Sequence, residues 1–281
     1  GSVPRVSWFA VVSMGLALAR ITIGLLSSTF HLGHPERAWR ALSQWRSSWL
    51  SREGVAAIFT YIPAGLLGIA WVFLSETSGQ WITLIATLAS IGALATVFCT
   101  GQIYASLPTI RKWNHPMTTP VYLLFALASG GLCLNALMRL FVNPAQWCDI
   151  LVIVSVVCAW VAKRSYWRGI DTVRELHTVE SATGLGHLGK VKLIDPPHSS
   201  DNYLMQQMGF KVARKHALRL RAVAQTLGLF VPLVATLAML NIVGPLGIIL
   251  ALVALVSGIT GIAVERWLFF AEAKHTVQLY Y

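Results

Sequence analysis

The chain is 281 residues long, 56% hydrophobic and only 12% charged, with a mean hydropathy of +0.63. A soluble domain of this length carries about twice that charged fraction, so the composition excludes a soluble globular protein and points to an integral membrane protein. A net charge of +11 would suggest nucleic acid in a soluble protein, but on so apolar a chain the retention of basic loops on one side of a membrane explains it first, and no nucleic-acid partner is expected.

Cutting the chain at its charged positions leaves seven nearly uncharged stretches, at 6–29, 54–75, 81–106, 120–138, 145–162, 222–242 and 243–264. Most reach the ~30 Å hydrocarbon thickness at about 1.5 Å per residue, and none alternates with period two. The expected fold is therefore all-α, a polytopic transmembrane helical bundle with seven spans in one membrane domain, 1–281. The opening Gly1-Ser2-Val3-Pro4-Arg5 has neither an initiator Met nor a signal-peptide pattern, so we expect the natural amino terminus to be missing.

The first span contains Arg20, an intramembrane charge that must find an anion, carbonyls or water. The segment after it is the richest in chemistry. His31 follows directly on the first apolar run, then come His34, Glu36, Arg37, Trp39 and Arg40, and Glu53 directly precedes the second run. His31 and Glu53 thus lie at the same depth near one interface and can share a pocket. Such a pair suits proton-coupled chemistry on a lipid-soluble quinone, because an imidazole can donate to a carbonyl oxygen while a carboxylate exchanges its proton with water. The alternative is that His31 caps a helix end and Glu53 pairs with Arg52 or Arg37 at the surface.

The fifth span is short, since only Ile150 to Ala162 separate Asp149 from Lys163, and the sixth and seventh meet in a tight hairpin at Asn241 to Pro245. The loop 163–221 is too long for a simple connector. It carries Tyr166, Trp167, a Gly-rich turn with His187, Lys190 and Lys192, and a basic end from Lys211 to Arg221. It reads as a platform for a docked soluble partner, with lipid headgroup binding by its Lys and Arg as the alternative. Gly184 to Gly189 matches GxGxxG but stands in no βαβ unit, which excludes a dinucleotide site. The tail 265–281 has the aromatic and basic composition of an interfacial segment.

With seven spans, the segments 30–53, 107–119 and 163–221 and the tail from 265 share one side and carry 4, 2, 11 and 2 of the 22 Lys and Arg. That side is expected to be cytoplasmic. No His lies inside a span and Cys99, Cys133, Cys148 and Cys158 are scattered, so no haem, iron–sulfur cluster or metal is expected in this chain.

The string Phe30-His31-Leu32-Gly33-His34-Pro35-Glu36-Arg37-Ala38-Trp39, followed by Leu50-Ser51-Arg52-Glu53, resembles the DMSO reductase membrane-anchor subunit family, within the wider NrfD-like quinone-interacting proteins. The alternation of apolar spans extends the resemblance over the whole chain. It implies eight helices in the full-length protein and a multi-pass place in the bacterial inner membrane. It further implies no cofactor beyond a bound quinone, ubiquinone or menaquinone, and electron exchange with a four-cluster iron–sulfur subunit bound to a molybdopterin catalytic subunit. The family's quinone-site histidine and glutamate fall on His31 and Glu53, with Arg37 and Trp39 as neighbours in the same motif. The segments Glu180 to Gly186 and Gly209 to His216 are similar to the anchors of cytoplasmic sulfite dehydrogenases, in which sulfite is oxidised and the anchor reduces quinone.

There are departures from the family. Seven spans against eight fits the loss of one amino-terminal helix, Arg20 stands where an apolar residue is expected, and exported DMSO reductases dock outside rather than inside. A quinol-oxidising anchor of a DMSO- or polysulfide-type reductase is the alternative. A secondary transporter is disfavoured, because only Arg20 reads as a charge at depth and no paired broken helices are evident.

Overall fold

The computed structural model describes residues 7–30, 34–172, 178–192, 194–195 and 211–274. Among the described residues seven helices are long and apolar enough to cross a membrane, beginning with α1 (Ser7–Phe30), α2 (Trp49–Val72) and α3 (Gln80–Ala105). Then come α4 (Thr118–Phe141), α5 (Gln146–Thr172) and two short helices, α6 (Val179–Thr183) and α7 (Lys211–Lys215). The sixth span joins α8 (Ala217–Gln225), a π turn (Thr226–Phe230) and α9 (Val231–Met239), and the seventh is α10 (Pro245–Ala271). A 3-10 helix, Pro35–Gln44, precedes α2, and no strand occurs among the described residues.

The core lies between α4, α5, α10 and the sixth span, and its residues recur at helical spacing. Val121, Phe125, Ala128 and Leu132 form the buried stripe of α4, and Val152, Val156, Ala159 and Tyr166 form that of α5. On α10 the stripe is made of small residues, Gly247, Ala251, Ala254, Gly258 and Gly261, which lets neighbouring backbones approach closely. The approach is tightest against the π turn, where a Cβ on Gly261 would overlap the backbone of Gly228. Pro232 has no N–H for the Gly228 carbonyl, and the helix widens to the π turn just before it. The α2–α3 hairpin packs on α4, and α1 lies across α2 and α4.

Three boundaries differ from the sequence reading. Helix α2 starts at Trp49, because Ser48 caps it by accepting the Ser51 N–H, so Glu53 sits in the second turn rather than ahead of the helix. Helix α5 runs ten residues past Ala162, because Lys163 lies on the buried stripe and finds a carboxylate there; residues 163–172 therefore belong to the span and not to a loop. Residues 265–271 are likewise the last turns of α10, with Glu265, Leu268 and Phe269 buried. The remainder of that tail, 275–281, lies outside the described residues.

Candidate functional site

One end of the bundle gathers the 3-10 helix, the 106–117 connection, the close of α5 and α10 and the start of α8. We call it the basic end. At this end the start of α2 is clamped: Arg52 donates to the carbonyls of Trp45 (2.9 Å) and Arg46 (2.7 Å) while its guanidinium lies 4.2 Å over the Trp49 ring. Ser51 Oγ donates to the Ala41 carbonyl, and Leu42 packs against Gly54. The clamp holds Glu53 against α3, where Thr100 Oγ1 donates to its Oε1 at 2.5 Å. Glu53 is half-buried, and its Oε2 has no hydrogen-bond partner among the described residues.

The Thr100 hydroxyl also lies 3.0 Å from the Thr96 carbonyl. It can therefore donate to an ionised Glu53, or accept from a protonated one while donating to Thr96. Both protonation states of the carboxyl are served without moving the backbone. The surface pairing considered for Glu53 is not present: Arg52 is spent on the two carbonyls, and Arg37 lies 3.7 Å from Glu36. Arg37 and Trp39 are both exposed, and the 3-10 helix touches α2 through Ala41 and Leu42 instead. They are thus not brought to Glu53. His31 lies outside the described residues.

One turn beyond Thr100, Tyr104 enters an aromatic group. Its ring packs edge-on to Trp113 (5.1 Å), Phe269 (5.5 Å) and Phe270 (5.4 Å) and stacks on Tyr122 (5.7 Å). Behind these rings lies a buried charge cluster that the sequence reading missed. Glu265 bridges Lys163 and Arg266, the latter at 2.6 Å. The Lys163 ammonium sits 3.9 Å from the Tyr166 ring centroid, and the Arg266 guanidinium 4.3 Å from that of Tyr122. Arg20 is therefore not the sole charge at depth. It is itself exposed, and its Nη1 donates to Cys133 Sγ at 3.1 Å.

Tyr166 and Trp167, expected on the docking platform, are buried at 2% and 6% exposure. They point into the bundle because they share the α5 stripe with Lys163, and Tyr166 donates to the Lys112 carbonyl at 2.8 Å. A docked partner cannot reach them. His187, Lys190 and Lys192 are exposed in the turn after α6, where Gly184 adopts φ 71° and Gly189 φ 136°. At the opposite end of the bundle, Asp149 accepts from Arg139 at 2.9 and 3.0 Å and from Asn135 at 2.5 Å, all three residues being buried.

A family model described as DMSO reductase anchor subunit matches residues 7–271. The chain belongs to this family. Among its relatives, it is 30% identical to a sulfite dehydrogenase subunit of Allochromatium vinosum, over 98% of this chain and 86% of the relative. It is 26% identical to the anaerobic dimethyl sulfoxide reductase protein YnfH of Escherichia coli, over 50% of this chain and 49% of that protein. Against a second anaerobic dimethyl sulfoxide reductase polypeptide of the same organism the identity is 26%, over 58% of this chain and 57% of the relative. No solved structure matches. With its seven apolar helices, this member of the anchor-subunit family is a multi-pass membrane protein, related to subunits of oxidoreductase complexes.

Proposed function

We propose that this chain is the quinone-reactive anchor of a molybdopterin and iron–sulfur oxidoreductase in the bacterial inner membrane, and that it passes electrons from a cytoplasmic iron–sulfur subunit to quinone during sulfite oxidation. The observation that carries the reading is the Glu53–Thr100 pair, a half-buried carboxyl at the basic end of α2 whose hydroxyl partner accommodates either protonation state. Reduction of a quinone to a quinol takes up two electrons and two protons, and the partner's clusters would supply the electrons. The protein's part is to hold and move protons. Glu53 Oε2, without a protein partner among the described residues, is the oxygen available to a quinone carbonyl, and Leu50 and Ile58 nearby on α2 are exposed and suit an isoprenoid tail. His31, which in the sequence directly follows α1, would serve the second proton.

Sulfite as the partner's substrate rests on the name of the Allochromatium relative and on the basic platform around His187, Lys190 and Lys192. The names of the two Escherichia coli relatives favour the reverse reading, a quinol-oxidising anchor. Membranes with the whole complex should show sulfite-dependent quinone reduction. Glu53→Gln and His31→Ala should each lower it by roughly 10²-fold or more at constant complex content, the usual contribution of a general acid or base. Unchanged rates in both variants would remove the pair from the chemistry, while quinol-dependent reduction of an S-oxide without sulfite activity would reverse the direction.

A further inference from the structure

Where α5 and α10 close and α8 starts at the basic face, a pocket of about 240 Å³ opens between Lys112, Asp171, Arg214, Ala217, Leu218, Arg221, Glu272 and Lys274. Four cationic side chains face two carboxylates. Both carboxylates are consumed by one of the cations: Arg221 donates to Asp171 at 2.6 and 3.0 Å and to Glu272 at 2.7 and 2.8 Å. Arg214 is oriented by the end of α10, donating to the carbonyls of Ala271 and Ala273, both at 3.0 Å. Lys112 is half-buried, yet its ammonium has no hydrogen bond or ion pair among the described residues. Its pKa is lowered by burial, with Glu272 and Asp171 opposing the shift and Arg221 and Lys274 adding to it. An anion in the pocket would offset that desolvation.

The pocket also has an apolar lip. Leu218, on its lining, is 78% exposed. Cations at the level where spans end, beside an exposed leucine, match a phosphate joined to acyl chains better than a free ion.

We propose that this pocket holds the phosphate of an anionic phospholipid headgroup, with Lys112, Arg214 and Lys274 as its cationic partners and Leu218 against the acyl chain. The site is independent of the proposed quinone chemistry. It places a lipid between the 106–117 connection and the ends of α5 and α10.

The test uses the detergent-purified complex, stripped of lipid and titrated with phosphatidylglycerol, phosphatidylcholine or inorganic phosphate, with occupancy read by native mass spectrometry. Phosphatidylglycerol should bind in preference to phosphatidylcholine, and excess inorganic phosphate should not displace it. Lys112→Gln and Lys274→Gln should each weaken retention by about fivefold, the effect of one basic residue near an anionic headgroup. Lys112→Arg, which keeps the charge, should retain the lipid. Equal binding of the two lipids would overturn the proposal, as would full displacement by inorganic phosphate, which would make this a free-anion site. Loss of partner subunits from Lys112→Gln with lipid occupancy unchanged would also overturn it, assigning the pocket to an acidic side chain of the partner.

Discussion

His115 shows how one residue couples the loop chemistry to the core. Its Nδ1 accepts the Met117 backbone N–H at 3.1 Å, which requires that nitrogen to be unprotonated, and its ring stands edge-on to Tyr166 at 5.4 Å. The ring is packed so closely on Gly169 that a Cβ there would overlap Nε2, so any other residue at this turn of α5 would have to displace the imidazole. Burial, and then the Lys163 ammonium, push the His115 pKa below its ordinary 6.5. A depressed pKa means that the unfolded chain binds the proton more readily, so His115 contributes stability fully above pH 6.5 and loses it as pH falls through the folded value. Thermal unfolding of the purified protein should shift to lower temperature between pH 7 and pH 5.5, and His115→Asn, which keeps an acceptor without a titrating proton, should flatten that slope. An unchanged slope would remove His115 as its source.

At the scale of elements, the buried charges explain both what the sequence disclosed and what it hid. The seven spans were legible because apolar length is a strong signal, and the tight 240–244 hairpin followed from the same pattern. The ends were not, because each charge was read as a membrane boundary. Lys163 and Glu265 break that rule as a pair: each continues the buried stripe of its helix, Lys163 after Val152, Val156 and Ala159, and Glu265 after Ala254, Gly258 and Gly261. Opposite charges in phase with two buried stripes were the available signal. Thr100 offered no such signal, because its hydroxyl also meets its own helix at Thr96 and only the α2–α3 packing selects Glu53. The exposure of Arg37 and Trp39 was not legible either, because a sequence motif does not say which face of a short helix meets the next one.

The charge cluster has an asymmetric energetic consequence. Glu265 serves two cations, Lys163 and Arg266, so Glu265→Gln leaves both without their carboxylate and should cost about 3–5 kcal/mol, the usual effect of breaking a buried pair. Lys163→Met leaves Glu265 its bond to Arg266 and should cost clearly less. Thermal midpoints of the two variants in one detergent would check the order, and equal losses would show that Arg266 does not hold the carboxylate by itself.

For the whole molecule, the separation of the two ends is the main result. The basic end holds Glu53, the aromatic group around Tyr104, the Lys163–Glu265–Arg266 cluster and the pocket beside Lys112, while the other end is tied by Arg139 and Asp149. Of the 22 Lys and Arg, only Arg5, Arg20 and Arg139 lie outside the segments assigned to the basic side. Reporter fusions after residues 110 and 190 should therefore be active only as cytoplasmic reporters, and fusions after residues 76 and 143 only as periplasmic ones. Periplasmic activity at 190 would reverse the orientation and with it the side on which a partner docks.

The pairing of Lys163 with Glu265 also bears on the order in which the protein is made. The two residues are about a hundred positions apart, so α5 leaves the ribosome well before its counter-ion exists. A lone lysine opposes insertion by about 2.5–3.5 kcal/mol at mid-membrane, and Lys163 stands nine residues, or roughly 14 Å along the helix, from the close of α5. Until α10 arrives, the favoured position of α5 is one in which that ammonium reaches the headgroups. A later helix thus completes the depth of an earlier one, and a nascent polypeptide that stops short of Glu265 has the apolar composition of these spans without the burial of Lys163.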